Sequence, residues 1–192
     1  MTAPYPAPAA DGRLTISDVN ALSQREFVSR FGPIYEDSPW IAEAAWAARP
    51  FTSRADLAAK LAAVVAGAGP DAQLLLIRSH PDLVGRAALA GTLGRASTAE
   101  QAAAGIDRDA LSPDDIDQFA KYNRAYWDRF EFPFVICARE NKKDAILAGF
   151  RQRLSHDRDE EIATALREID RIAHYRLADL VREDAAAPGT QR

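Results

Sequence analysis

The chain has 192 residues, 47% of them apolar and 27% charged, which suits one ordinary domain with a sizeable core and argues against wholesale disorder. The 24 Lys and Arg set against 28 Asp and Glu leave a net charge of −4, so the basic face that nucleic acid or an anionic membrane requires is not expected. One cysteine, Cys137, excludes a disulfide framework and a four-thiolate metal site.

In chain order, the leader Met1-Thr-Ala-Pro-Tyr-Pro-Ala-Pro has neither the basic start nor the apolar core of a signal peptide. Residues 1–13 are Pro/Ala-rich and are expected to be disordered, as are residues 183–192, leaving a domain over 14–182. Ser38-Pro39 sets a capping hydroxyl before a first-turn proline. Ser53-x-x-Asp56 opens a helix whose Leu57, Leu61, Val64 and Val65 share a face, and Gly67-Ala-Gly-Pro70 ends it. Asp71 to Ser79 reads equally as a short buried helix or a strand. Ser112-Pro113-Asp-Asp115 repeats the start signal, with acids that suit the helix dipole. Beyond it Ile116, Phe119, Asn123, Tyr126, Trp127 and Phe130 keep helical spacing.

Phe132-Pro-Phe-Val-Ile-Cys137 is the one β-like run, and a lone strand has nothing to pair with. Ile146, Leu147, Phe150 and Leu154 then mark another helix. The longest runs from about Asp159 to Val181, with Ile162, Leu166, Ile169, Ile172, Ala173, Leu177 and Leu180 as its apolar stripe. The fold class is therefore all-α: a single compact domain of about eight helices with one short extended segment. No apolar run approaches the roughly 20 residues that span a bilayer, and Gly189-Thr-Gln-Arg192 is not a peroxisomal address, so a reduced cytosolic compartment is expected.

The chain carries no phosphate-cradling loop, no dinucleotide fingerprint and no nucleophile elbow. His156 and Glu160 sit one helical turn apart, but two ligands do not make a metal site. Three positions stand out. His80, in Arg78-Ser-His-Pro-Asp-Leu83, falls where Pro81 stops the preceding segment. It is either a plain helix C-cap or an imidazole fixed at a cleft wall, with a charge that changes near neutrality. Glu100, in Ser97-Thr98-Ala99-Glu100-Gln101, has the spacing of a capping box, whose free N–H groups would also suit an anionic or carbonyl-rich ligand. Arg176 interrupts the apolar stripe of the longest helix. It either snorkels to the surface or turns inward, where it needs an anion such as a substrate carboxylate. Cys137, in its apolar setting, reads as a buried structural thiol.

Five segments in order resemble the 2-oxo-4-hydroxy-4-carboxy-5-ureidoimidazoline (OHCU) decarboxylase family of urate degradation. They are Phe31-Gly-Pro-Ile-Tyr-Glu-Asp-Ser-Pro-Trp40 with Ala45-Trp-Ala-Ala-Arg-Pro-Phe51, Arg78-Ser-His-Pro-Asp-Leu83, Ser97-Thr-Ala-Glu-Gln101, Phe130-Glu-Phe-Pro-Phe-Val-Ile136, and Glu168-Ile through Tyr175-Arg-Leu177. The similarity runs from about Leu14 to Val181. It implies an all-α decarboxylase without a cofactor, usually a homodimer, acting on a small molecule rather than on nucleic acid or membrane. It also implies that His80 is catalytic together with Glu100, and that Pro81, Ser97, Thr98, Ala99, Glu100, Gln101, Phe134, Val135, Ile136, Cys137, Ala138 and Arg176 contact the substrate. His156 departs from the family, standing where its Arg-Leu-x-Asn pattern has Asn; the proline-rich leader is also not a family feature. The rival readings are a non-catalytic helical interaction module, which leaves Arg176 exposed and joined to His80 and Glu100 by no pocket, and a metal-dependent hydrolase, which needs a third ligand beside His156 and Glu160.

Overall fold

In the computed structural model, residues 12–107 and 109–183 are described. Most of the expected leader and tail lies outside them. The all-α expectation holds, with eight helices of seven residues or more among the described residues. They divide into two compact units: one takes the residues up to Gly67 and from Ala173 onward, the other Ala68–Ile172.

The first unit begins with two self-capped helices, α1 (Ile16–Ala21) and α2 (Gln24–Phe31). Thr15 and Ser23 accept from the backbone of the third helical residue, while Asp18 and Glu26 accept back from the capping residues. A 3-10 turn over Gly32–Tyr35, α3 (Trp40–Trp46) and α4 (Arg54–Gly67) follow. Ser38 does not cap α3 as its sequence suggests: Pro39 is the N-cap and no side chain bonds there. Ser53 does cap α4, accepting the Asp56 N–H at 3.0 Å. Phe27, Phe31, Ile41, Leu57 and Leu61 form the buried centre, with the Phe27 and Phe51 rings stacked at 5.7 Å. Leu14 and the chain after Leu180 tie together through Leu14 N–H to Leu180 O and Arg182 N–H to Leu14 O.

The second unit contains α5 (Pro70–Arg78), α6 (Arg86–Leu89), α7 (Arg95–Ala104), α8 (Pro113–Phe130), α9 (Lys143–Arg153) and the first part of α10 (Arg158–Leu180). The ambiguous segment before Ser79 is therefore helix, started by Pro70. Ser112 and Asp115 form the expected capping box of α8. The apolar centre is aromatic: Phe119, Tyr126, Phe130, Phe132, Phe134 and Phe150 are fully buried, and Phe134 stacks on Phe150 at 3.9 Å. Residues 133–137 are neither helix nor strand. They run close to α9 because position 149 is glycine, where a Cβ would come within 3.3 Å of the Phe134 ring and 3.6 Å of Ile136.

The stripe of α10 is rotated from its expected centre. Its buried residues include Glu161, Ala165, Ile169, Ile172, Ala173, Arg176 and Leu177, whereas Ile162, Leu166 and Leu180 are only half-buried. Two charged residues thus face inward from one helix, and each has a partner built for it.

Candidate active site

Helix α5 ends at Arg78 because Pro81 cannot follow a helical residue comfortably, and this sets His80 directly after the C-cap Ser79. His80 is 6% exposed, and its Nδ1 lies 2.9 Å from the Leu76 carbonyl. The cap reading of His80 is therefore met through a side-chain bond, in a buried setting. Beyond it the loop is sharply bent. Val84 has φ of 53°, which a β-branched residue rarely adopts, and Gly85 has no room for a Cβ, which would fall 2.7 Å from the Asp82 side chain. Three side chains hold the bend in place. Gln101 accepts the Val84 N–H at 3.1 Å, Asn123 donates to the Leu83 carbonyl at 2.8 Å, and Trp127 donates to Asp82 at 2.8 Å.

The Ser97-x-x-Glu100 segment is not a capping box. Helix α7 starts at Arg95 with Gly94 as N-cap, so Ser97 and Glu100 lie inside the helix. Glycine at 94 already provides the start, which frees Glu100 from capping. Ser97, Glu100 and Gln101 are buried, Thr98 is exposed, and Glu100 faces the Arg139 guanidinium at 3.8 Å. A cavity of about 390 Å³ is lined by Val84, Leu89, Leu93, Thr98, Gln101 and Asp109 among others. It takes in two of the expected substrate residues, while His80 and Glu100 are packed into the interior.

The 134–138 run follows α8. Arg153 donates to the Val135 carbonyl at 2.8 Å, and Glu168 accepts the Cys137 N–H at 2.8 Å. Arg153 also packs over the Phe134 ring at 4.4 Å. Cys137 is buried as expected, and burial, with Glu140 and Glu168 adding to it, pushes its thiol pKa up, away from a reactive thiolate. Sequence reasoning passed over Arg153, Glu161, Glu168, Arg139 and Asn123. Only Asn123 on α8 and Glu161 on α10 carry a local signal, as polar residues within otherwise apolar helical spacing.

In the first unit Arg176 points inward and is 6% exposed, which rules out snorkelling. The anion it needs comes from the protein itself: Glu36 lies 2.7 Å from the guanidinium, and the Ile34 carbonyl accepts a further bond at 3.1 Å. Glu36 has φ of 53°, so the opening motif bends to bring its carboxylate there.

His156 and Glu160 do approach, at 3.7 Å. The next acid, Glu161, is already bound to the Arg153 guanidinium and the Tyr126 hydroxyl. No group of three His, Cys, Asp or Glu suited to a metal ion occurs among the described residues.

The chain is similar to known proteins over most of its length. Residues 20–178 match the sequence model of the OHCU decarboxylase family. A relative in Haloferax volcanii named 2-oxo-4-hydroxy-4-carboxy-5-ureidoimidazoline decarboxylase is 42% identical over 166 residues, covering 86% of this chain and 95% of its own. One of the same name in Amia calva is 37% identical, covering 88% and 95%. Among solved structures, a crystal structure of (S)-allantoin synthase aligns with a TM-score of 0.67 at 28% identity, covering 87% of this chain and 54% of that longer one. With a family match across most of its length and relatives this similar over nearly their whole length, the chain belongs to the OHCU decarboxylase family.

Proposed function

We propose that the protein is a carboxy-lyase that converts OHCU to (S)-allantoin and CO2 in urate breakdown, without a cofactor. Family membership supplies the substrate, and one contact supports the chemistry. The Leu76 carbonyl can only accept, so the His80 Nδ1 carries hydrogen, and in the neutral form of the ring the lone pair is at Nε2.

In OHCU the carbon bearing the carboxylate also bears a hydroxyl and adjoins a ring C=N bond. When the carbon–carboxylate bond breaks, CO2 leaves and the freed pair forms a C=C bond with that neighbour. The C=N π pair moves to nitrogen, which takes up a proton. The enol then becomes a ketone: the hydroxyl loses its proton and the neighbouring carbon gains one, on a single face. His80 is the general acid–base for these transfers, and Glu100 hydrogen-bonds ureido or ring nitrogens. Pro81, Ser97 to Gln101 and the backbone of 134–138 line the pocket, all in the second unit; Arg176, expected at the substrate's anionic oxygens, is instead paired with Glu36 in the first unit. The working unit is the span 14–182, acting as a cytosolic homodimer.

Of the two features that the interaction-module reading requires, an exposed Arg176 is not found, since the residue is buried. The decisive experiment follows chirality, because OHCU also decays spontaneously. Fresh OHCU with the wild type should give a circular dichroism signal of (S)-allantoin well beyond the buffer control, and His80→Ala should not. A racemic product from the wild type removes the function; full (S)-selective turnover by His80→Ala removes the assignment of His80.

A further inference from the structure

The extended run after α8 is fastened along one edge. Phe134 and Ile136 both reach Gly149, as side chains two apart do in an extended chain. In such a chain the N–H and C=O groups of alternate residues share an edge, and those of the residue between point the other way. The two fastened groups obey this rule: the Val135 carbonyl meets Arg153, and the Cys137 N–H meets Glu168. The N–H and C=O of Ile136 are thereby turned to the opposite edge. They make no hydrogen bond to any described residue.

The fasteners are themselves supported. Glu161, fully buried, binds the Arg153 guanidinium through Nε at 3.0 Å and again through its second nitrogen, accepts from Tyr126, and meets His156 Nδ1 at 2.8 Å. Glu168 is steadied by Arg171 at 3.1 Å. Buried ion pairs add little net stability over apolar packing, and their best-attested use is to fix register.

From this we infer that Glu168, together with Arg153, is a positioning residue: it sets the register of residues 134–138 so that the Ile136 peptide groups face the ligand. The inference rests on the proposed role of that run in lining the pocket. It goes further in naming the side chains that aim it, both acting through the backbone.

The test compares Glu168→Ala, which removes the acceptor, with Glu168→Gln, which keeps an oxygen in its place. With fresh OHCU and (S)-allantoin followed by circular dichroism, Glu168→Ala should raise KM roughly tenfold, the scale of one charge-assisted hydrogen bond. Its kcat should stay within about twofold, the signature of lost ground-state positioning, and Glu168→Gln should restore most of the affinity. Amide exchange should quicken at Cys137, whose N–H loses its acceptor, in the alanine variant alone. Arg153→Lys keeps the charge facing Glu161 but loses the planar fork, and should raise KM in the same direction. An unchanged KM in Glu168→Ala, a glutamine variant as impaired as alanine, or quickened exchange across the whole chain overturns the inference. Racemic product from the wild type would instead sink the functional reading, leaving the amide exchange to decide the positioning claim.

Discussion

His80 Nδ1 and the Leu76 carbonyl oxygen, four residues apart at the end of α5, stand 2.9 Å from each other. This local bond fixes both ring orientation and tautomer, so the imidazole is prepared before any substrate arrives. Removing it should act on the chemical step rather than on binding. His80→Ala is expected to lower kcat by roughly 10²–10⁴-fold with a small change in KM. Added imidazole should restore part of the (S)-selective rate in a saturable way, because the vacated site is buried and ring-shaped. Rapid-mixing circular dichroism reads both effects; a large KM rise with kcat intact would mean that His80 binds rather than reacts.

Arg176 and Glu36 form the tightest test of the first unit's architecture. The pair is largely dry and 2.7 Å apart. Glu36→Ala strands a buried guanidinium and should cost about 3 kcal/mol in urea unfolding. The double variant Glu36→Ala with Arg176→Met should recover much of that loss, since no uncompensated charge remains. Equal instability of the single and double variants would show that the pair is not coupled.

The pattern of apolar spacing carried most of the helices, because a 3.6-residue period is a local property of the chain. Ser112-Pro113 and Ser53-x-x-Asp56 were readable for the same reason: their bonds close within four residues. Ser97-x-x-Glu100 misled by being a local pattern with another use, since Gly94 had already started the helix. The partners of Glu100 and Arg176 were not legible. Glu36 meets Arg176 across 140 residues of chain, and Arg139 meets Glu100 across 39; no spacing rule reaches that far. The rotation of the α10 stripe has the same origin. Glu161 faces inward because Arg153 and Tyr126 are there to receive it, a fact that lies outside its own helix.

Asn123 links α8 to the strained loop after His80. Its amide nitrogen donates to the Leu83 carbonyl at 2.8 Å, and its Oδ1 is buried without a partner among the described residues. Exchanging the two amide atoms would set oxygen against oxygen, so this orientation is required. Asn123→Ala should cost about 1–3 kcal/mol by leaving a buried carbonyl unmet. Asn123→Asp should be worse at neutral pH, because an anionic acceptor then faces another acceptor. Thermal unfolding with turnover measured on the same samples checks the order; an aspartate variant as stable as wild type would contradict it.

Acid should weaken the fold in a defined window. The Lys143 ammonium, followed by the Ser112 hydroxyl and N–H, holds Asp115 down at about 2, and Asp18 and Glu26 are lowered by their capping partners Thr15 and Ser23. A carboxylate whose folded pKa is depressed contributes stability that is fully present above its unfolded value, near 4, and is lost as pH falls through the folded value. The urea midpoint should therefore be flat from pH 7 to about 5 as far as these groups are concerned, and fall steadily between about 4 and 2. Lys143→Met removes the largest influence on Asp115 and should shallow that slope, as should high salt, because the pair is exposed enough to be screened. A slope in Lys143→Met equal to the wild type's would assign the acid loss to other carboxylates.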